Sequence, residues 1–215
     1  MPSASEIDAV TVDAMGTLVE LLDPTDALRR TLAERGVAAT DDEVGHAFRA
    51  EVAYYIPRAH EGRDEASLGR LGRDCAGVFL AHLGAEIDPG EFAPDFVAAL
   101  EFRALDGSVA ALERLRAAGL ALACVSNWDA TLTRHLSRVG LDRLFDTIVS
   151  SAEAGAPKPE SASFRLALDR LGVAPERAVH VGDDSTDRDG AAAAGLAFEP
   201  PPLATVPERL GLDRQ

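Results

Sequence analysis

The sequence predicts an α/β protein: a doubly wound parallel sheet whose first strand is followed by a long helical insert. Three observations carry this. Short runs such as Ala9-Val-Thr-Val12 and Leu120-Ala-Leu-Ala-Cys-Val125 are apolar or β-branched at successive positions, as parallel strands buried on both faces should be. Helix and strand signals alternate strictly after Asp106. About a hundred residues separate the first two strand signals, where a parallel crossover needs roughly a dozen.

In chain order, Ile7 to Val12 is the first strand. From about Leu21 to Phe102 the chain reads as helical, with no alternating strand pattern. Asp23-Pro24 supplies a cap and a first-turn proline, and Gly36 a stop. Asp41-Asp42-Glu43 opens a second helix, in which Val44, Ala47, Phe48, Val52 and Tyr55 recur at helical spacing until Pro57. Leu68, Leu71, Cys75, Val78, Phe79 and Leu83 form a third stripe, closed by Gly84, and a fourth helix is expected from Pro94 to Phe102. Four helices with short links form a small bundle, so the chain divides into 1–20 plus 103–215 and an inserted 21–102. Beyond the insert, Val109 to Ala118 is a helix ended by Gly119, Leu120 to Val125 a strand, Ala130 to Val139 a helix ended by Gly140, and Thr147 to Ser150 a short strand. Ala162 to Leu171 is helical and stops at Gly172. A strand over Ala178 to Val181, a helix over Asp189 to Ala194 and a last strand over Leu196 to Phe198 complete the repetition, which right-handed crossovers wind on both faces of one sheet. The proline-rich tail after Pro200 lacks an apolar stripe and is expected to wrap the surface.

The 215 residues, 47 % hydrophobic, suffice for one domain or one domain plus an insert. Basic residues number 21 against 36 acidic, a formal charge of −15, which disfavours nucleic acid or an anionic membrane surface as partner. The two cysteines, Cys75 and Cys124, are far apart, and Cys124 lies in a predicted strand; they read as reduced structural thiols in a cytoplasmic protein. The opening Met-Pro-Ser-Ala-Ser-Glu has no basic patch or apolar run of signal-peptide length, and no stretch approaches the roughly 18 apolar residues of a membrane span.

The residues that carry chemistry gather at carboxyl ends of predicted strands, where open α/β sheets bind ligands. Asp13 ends the first strand and leads into Ala14-Met15-Gly16-Thr17; Ser126-Asn127 ends the second. Lys158 sits in Gly155-Ala-Pro-Lys-Pro159, where prolines hold the backbone extended, and Gly182-Asp-Asp-Ser-Thr-Asp187 follows a later strand. Taken singly, each has an ordinary reading: Asp13 as a helix cap, Gly16-Thr17 and Ser126-Asn127 as turns, Lys158 as a solvated surface cation. Three acids at 183, 184 and 187 exceed what a turn needs. His180 precedes them on a strand and reads as a core histidine, while Tyr54, Tyr55, Arg58 and His60 read as a solvated face near a helix end.

In this order, Asp13 to Thr17, Ser126-Asn127, Lys158 and Asp183 to Asp187 resemble the four signatures of the haloacid dehalogenase-like hydrolases, a superfamily of mostly magnesium-dependent phosphatases. The resemblance covers nearly the whole chain and is nearest to the branch with a helical cap between the first and second signatures. It implies a Rossmann-like core over 1–20 and 103–215 and a cap over 21–102. It further implies a small phosphorylated metabolite as substrate and Asp13 as a nucleophile that forms an aspartyl intermediate. Gly16 and Thr17 would approach the transferred group through backbone amides and the Thr17 hydroxyl. The Ser126 hydroxyl and the Asn127 amide would bind a phosphoryl or carboxylate oxygen, and Lys158 would neutralise the nucleophile and the developing charge. A Mg2+ ion would be held by Asp13, the Met15 backbone carbonyl and Asp183, with Asp187 supporting it through water or pairing with Lys158. Asp184 is either a supporting or an exposed acid, and Trp128 either walls the pocket or packs core against cap.

Met15 departs from the pattern. Family members that cleave phosphate esters carry an aspartate there as general acid and base, and a thioether cannot move a proton. A positioned acid or base is worth about 10²–10⁴ in rate, or roughly 3–5 kcal/mol of barrier. Three outcomes are compatible with Met15. A phosphatase would act on acidic leaving groups, as in acyl or aryl phosphates, or borrow an acid from the cap. A 2-haloacid dehalogenase would release halide without protonation; those enzymes have Asp-Ala-aromatic-Gly-Thr here, need no metal, and carry Ser and Asn in place of Asp183 and its neighbour. Their halide-binding arginine has no clear counterpart among Arg29, Arg30, Arg49 and Arg58. The third outcome is a module that holds a phosphorylated ligand without turnover. The retained Asp183, Asp187 and Lys158 favour the phosphatase.

Overall fold

The computed structural model describes residues 7–212, so the first six residues discussed above lie outside it. The chain enters through β1 (Ala9–Val12), turns, and forms β2 (Val19–Leu21). Four helices follow: α1 (Thr25–Glu34), α2 (Asp41–Tyr55), α3 (Glu65–Leu83) and α4 (Pro89–Ala98), with a 3-10 segment at Ile56–Glu61. β3 (Phe102–Ala104) then pairs antiparallel with β2. The rest alternates: α5 (Ser108–Ala117), β4 (Ala121–Ser126), α6 (Leu132–Arg138), β5 (Thr147–Ser150), α7 (Ser151–Ala154) and α8 (Ala162–Leu171). It ends with β6 (Ala178–Val181), α9 (Ser185–Ala194), β7 (Ala197–Glu199) and α10 (Val206–Arg209).

Five strands form one parallel sheet in the order β5-β4-β1-β6-β7. The chain builds outward from β1 on one side, then returns to its other side with β6, which places the switch in strand order beside β1. Alternation along the strands splits the core in two. Val10, Val12, Leu122, Cys124 and Val181 pack on one face with Leu112 and Leu115 of α5, whereas Ala9, Ala123, Val125 and Val149 meet Phe164 and Leu168 of α8 on the other. Helices α1 to α4 bury a third cluster of their own, in which Phe79, Phe92 and Phe96 pack ring against ring at 5.1–6.2 Å between centroids. Fully burying one such side chain is worth about 1.5–3 kcal/mol.

Several expectations need correction. The fourth helix spans Pro89–Ala98 rather than Pro94 to Phe102, because Asp88 Oδ1 accepts from the amides of Gly90 and Glu91 and starts the helix at Pro89. Phe102 is freed for β3, so a two-stranded ribbon, Val19 opposite Ala104 and Leu21 opposite Phe102, closes the ends of the helical segment. α9 begins at Ser185 rather than Asp189, and α6 at Leu132 rather than Ala130. The tail does not merely wrap: Leu203, Val206 and Leu210 are buried in the core. Tyr55 is not on a solvated face, since its hydroxyl donates to Asp129 Oδ2 at 3.1 Å. Cys75 and Cys124 are free, buried thiols as expected.

Glu51 is an acid inside the helical bundle, 4 % exposed. Burial pushes its carboxyl above the usual carboxylate range, and a hydrogen bond with Cys75 opposes this only in part. A group whose pKa is raised by folding contributes stability that is complete below its unfolded value and is lost as pH rises through the folded one. Glu51→Gln is therefore expected to raise Tm at about pH 7 and to lose that gain near pH 4. Thermal melts at both values test this, and a gain of equal size at both would rule out the buried charge as its cause.

Candidate active site

β1 delivers Asp13 to the carboxyl edge of the sheet, where its amide donates to the Val181 carbonyl of β6 at 2.8 Å. The turn after it closes on itself: the Ala14 carbonyl accepts from the Leu18 and Val19 amides, and Gly16 donates to Val19. Gly16 has φ 77°, and a Cβ there would stand 2.8 Å from Cγ of Asp183, so glycine is what lets the first and last loops meet. Met15 is 39 % exposed on this turn. Thr17 is buried, with Oγ1 lacking a hydrogen-bond partner among the described residues.

Lys158 reaches the same point from the segment between α7 and α8. Asn127 fixes that segment, its Oδ1 accepting from the Lys158 amide at 2.6 Å and its Nδ2 donating to the Lys158 carbonyl at 3.1 Å. The Lys158 ammonium donates to Asp13 Oδ1 at 2.5 Å, to the Val125 carbonyl at 3.2 Å and to Asp187 Oδ1, which accounts for all three of its hydrogens. Ser126 lies buried at the end of β4, one residue before Asn127.

Asp187 sits in the first turn of α9. Its Oδ2 accepts from the amides of Asp183 and Asp184 at 3.2 and 3.3 Å, and its Oδ1 from His180 Nε2 at 3.0 Å as well as from Lys158. Gly182 allows this approach, since a Cβ there would lie 2.5 Å from the Asp187 Cβ. Asp184 is the N-cap of α9, accepting from the Thr186 and Asp187 amides, which explains the third acid of the stretch. Asp183 is exposed, and one carboxylate oxygen each of Asp13, Asp183 and Asp187 can be chosen within 4.8 Å of the others.

Burial works against charge throughout this group, and the partners decide the outcome. Burial pushes Asp13 above the usual carboxylate range, with the Lys158 ammonium opposing it. Burial also disfavours the charged lysine, but Asp13 and Asp187 outweigh it and hold Lys158 up at about 12. Asp187 goes the other way: burial is overcome by the His180 hydrogen bond and the lysine charge, which keep it well below its ordinary value. Asp183, though exposed as a residue, is raised by partial desolvation of its carboxyl and by the neighbouring Asp187.

The structure thus brings Asp13, Lys158, Asp183 and Asp187 together, with Thr17 and Met15 on the turn that follows Asp13 and Ser126 at the end of β4. Trp128 packs against Phe102 and His135 at 5.2 and 5.6 Å between centroids, the packing alternative rather than an exposed wall. Two contacts had no sequence-level expectation: the Asn127 clamp on Lys158 and the His180 contact with Asp187. Only the polar types themselves, in strands and loops otherwise apolar, mark these positions.

The family model described as haloacid dehalogenase-like hydrolase matches residues 7–195. The chain belongs to the haloacid dehalogenase-like hydrolases. This hydrolase is 35 % identical over 200 residues to a phosphoglycolate phosphatase of Rhodospirillum rubrum, covering 87 % of this chain and 76 % of that one. It is 40 % identical over 103 residues to the mouse haloacid dehalogenase-like hydrolase domain-containing protein 3, a match that covers 47 % of this chain and 41 % of that protein. Among solved structures it resembles the L-2-haloacid dehalogenase of Xanthobacter autotrophicus with a TM-score of 0.67 and 25 % identity, over 95 % of this chain and 83 % of that chain. Among the described residues of the hydrolase, no helix is long and apolar enough to cross a membrane.

Proposed function

We propose that this hydrolase is a magnesium-assisted phosphatase of a small phosphorylated metabolite, with a core over 1–20 and 103–215 and a substrate-selecting cap over 21–102. The observation that carries this is the buried Asp13–Lys158–Asp187 network with Asp183 beside it. An all-oxygen donor set suits a hard divalent cation, and the Thr17 hydroxyl, without a partner among the described residues, is a donor that an anionic oxygen would satisfy. Asp13, the Met15 carbonyl and Asp183 would hold Mg2+, with Asp187 supporting it through water or pairing with Lys158. When bound, the ion offsets charge between the carboxylate and the transferred group.

Lys158 donates to Asp13 Oδ1, which reserves Oδ2 for attack on phosphorus. A P–O bond forms to Asp13 as the bond to the leaving group breaks, and Lys158, the Ser126 hydroxyl and the Asn127 amide stabilise the charge that develops. Water then releases phosphate and regenerates the carboxylate. The phosphoglycolate phosphatase relative supports a small phosphorylated acid as substrate class. The two free thiols fit the cytoplasmic setting proposed for it.

Hydrolysis of an aryl or acyl phosphate should stop on chelation and return with Mg2+. The likeness to a haloacid dehalogenase, together with Met15, favours a second reading: halide release from a 2-haloacid. That activity would be indifferent to chelator, and no turnover on a broad phosphate panel would point to ligand binding without catalysis. Met15→Asp restores a carboxylate where the turn is open to solvent. It is expected to raise turnover of alkyl phosphates by up to about 10²–10⁴-fold. No gain in steady-state rate would mean that the missing acid is not the bottleneck.

A further inference from the structure

We propose that Thr11 and His180 form the floor of the Lys158 network: the Thr11 hydroxyl anchors the Nδ1 side of the His180 ring, and His180 holds Asp187 where it aims the Lys158 ammonium at Asp13. Only the kinetic arm of this proposal rests on the phosphatase reading. Sheet register is its starting point. β1 and β6 are parallel neighbours that pair Thr11 with His180, so two polar side chains meet on a sheet face otherwise lined by alanine, valine and phenylalanine. Both residues are fully buried. Thr11 Oγ1 lies 2.8 Å from His180 Nδ1, and His180 Nε2 lies 3.0 Å from Asp187 Oδ1. Phe164 packs edge-on against the imidazole, 4.8 Å between centroids at 89°, and limits its movement.

The hydrogen positions follow from what the partners can do. A carboxylate only accepts, so Nε2 carries the hydrogen; in the neutral ring Nδ1 is then the acceptor and Thr11 the donor. Asp187 is engaged on both oxygens, Oδ1 by His180 and Lys158 and Oδ2 by the amides of Asp183 and Asp184. A carboxylate gripped from four donors cannot swing, and Lys158 spans from it to Asp13. His180 touches no substrate in this arrangement. It is a positioning residue that acts through Asp187, in the way that a partner orients a ligating histidine in a metal site.

Three variants of the full chain separate positioning from packing. His180→Leu removes the donor, His180→Gln keeps an N–H in its place, and Thr11→Val is nearly isosteric and removes only the hydroxyl. The 15N resonances of the His180 ring and the Lys158 ammonium need no turnover; kcat and KM are read on an aryl phosphate with Mg2+. The wild type should carry its hydrogen on Nε2, and Thr11→Val, which leaves the Asp187 acceptor in place, should shift the Nδ1 and ammonium resonances without moving that hydrogen. His180→Leu should lower kcat about ten- to a hundredfold with KM unchanged, and His180→Gln should recover most of it. A hydrogen on Nδ1, an ammonium resonance unmoved in Thr11→Val and His180→Leu, or His180→Gln falling as far as His180→Leu would each overturn the proposal. Should His180→Leu not fold, Thr11→Val decides. Should the wild type turn over no phosphate, the phosphatase reading fails while the resonances still decide the positioning role.

Discussion

Asp13→Asn is expected to abolish turnover, with kcat falling by about 10⁴-fold or more, the scale on which removing an attacking group acts. The substitution changes one atom and keeps the volume, so the loss would report chemistry rather than packing. An amide is no nucleophile toward phosphorus, and its nitrogen cannot accept from Lys158. Stability should be preserved, because burial already disfavours the Asp13 charge and Lys158 retains Asp187 as partner. Steady-state rates on an aryl phosphate beside thermal melts separate the two effects. A folded variant within tenfold of the wild-type rate would exclude Asp13 as nucleophile.

The largest expected loss of stability belongs to Lys158→Met. The ammonium is 2 % exposed at its side chain and is shared by two buried carboxylates, so its removal leaves Asp13 and Asp187 facing each other with no cation between them. Breaking a buried pair in this way costs roughly 3–5 kcal/mol. For a chain of this size that is a fall in Tm of about 6–20 °C. The pH dependence has a definite sign. Lys158 is held at about 12, above its ordinary 10.5, so its contribution is complete below pH 10.5 and is lost as pH rises through about 12. In the variant the repulsion is between two carboxylates, so the deficit should narrow in acid, where the raised pKa of Asp13 lets it take up a proton first. Adding Asp13→Asn to Lys158→Met should restore part of the loss, a non-additivity expected of residues in direct contact. Strictly additive melts would show that the three groups do not act as one network.

Much of this was legible in the sequence because burial on two faces leaves a plain trace. β5 and β6 fall where the apolar runs Thr147 to Ser150 and Ala178 to Val181 predict, and α8 starts and stops at the expected Ala162 and Leu171. What was illegible is local or long-range. β2 and β3 are three residues each, too short for alternation to register, and they exist only because their partner lies about eighty residues away. The fourth helix begins five residues before the expected Pro94 because Asp88 followed by Pro89 supplies its cap and first turn. α9 starts four residues before the expected Asp189 because Asp184 and Asp187 form a capping box within Asp-Asp-Ser-Thr-Asp.

The candidate site divides the same way. The carboxylates and the lysine announce themselves by type and by position after strands, and the fold brings them within contact. The contacts of Asn127 and His180 do not, because a side-chain amide clamping a backbone 31 residues away, or a strand histidine under a helix-turn aspartate, depends on register that no local pattern encodes.

The most direct test of Asp13 as the attacking group is a rapid acid quench of the Mg2+-loaded enzyme during turnover of an acyl phosphate, followed by peptide mapping. A phosphoryl group on the peptide containing Asp13, absent in Asp13→Asn, is the expected result. Turnover with that peptide unmodified at every quench time, or a phosphoryl group on another side chain, would contradict it.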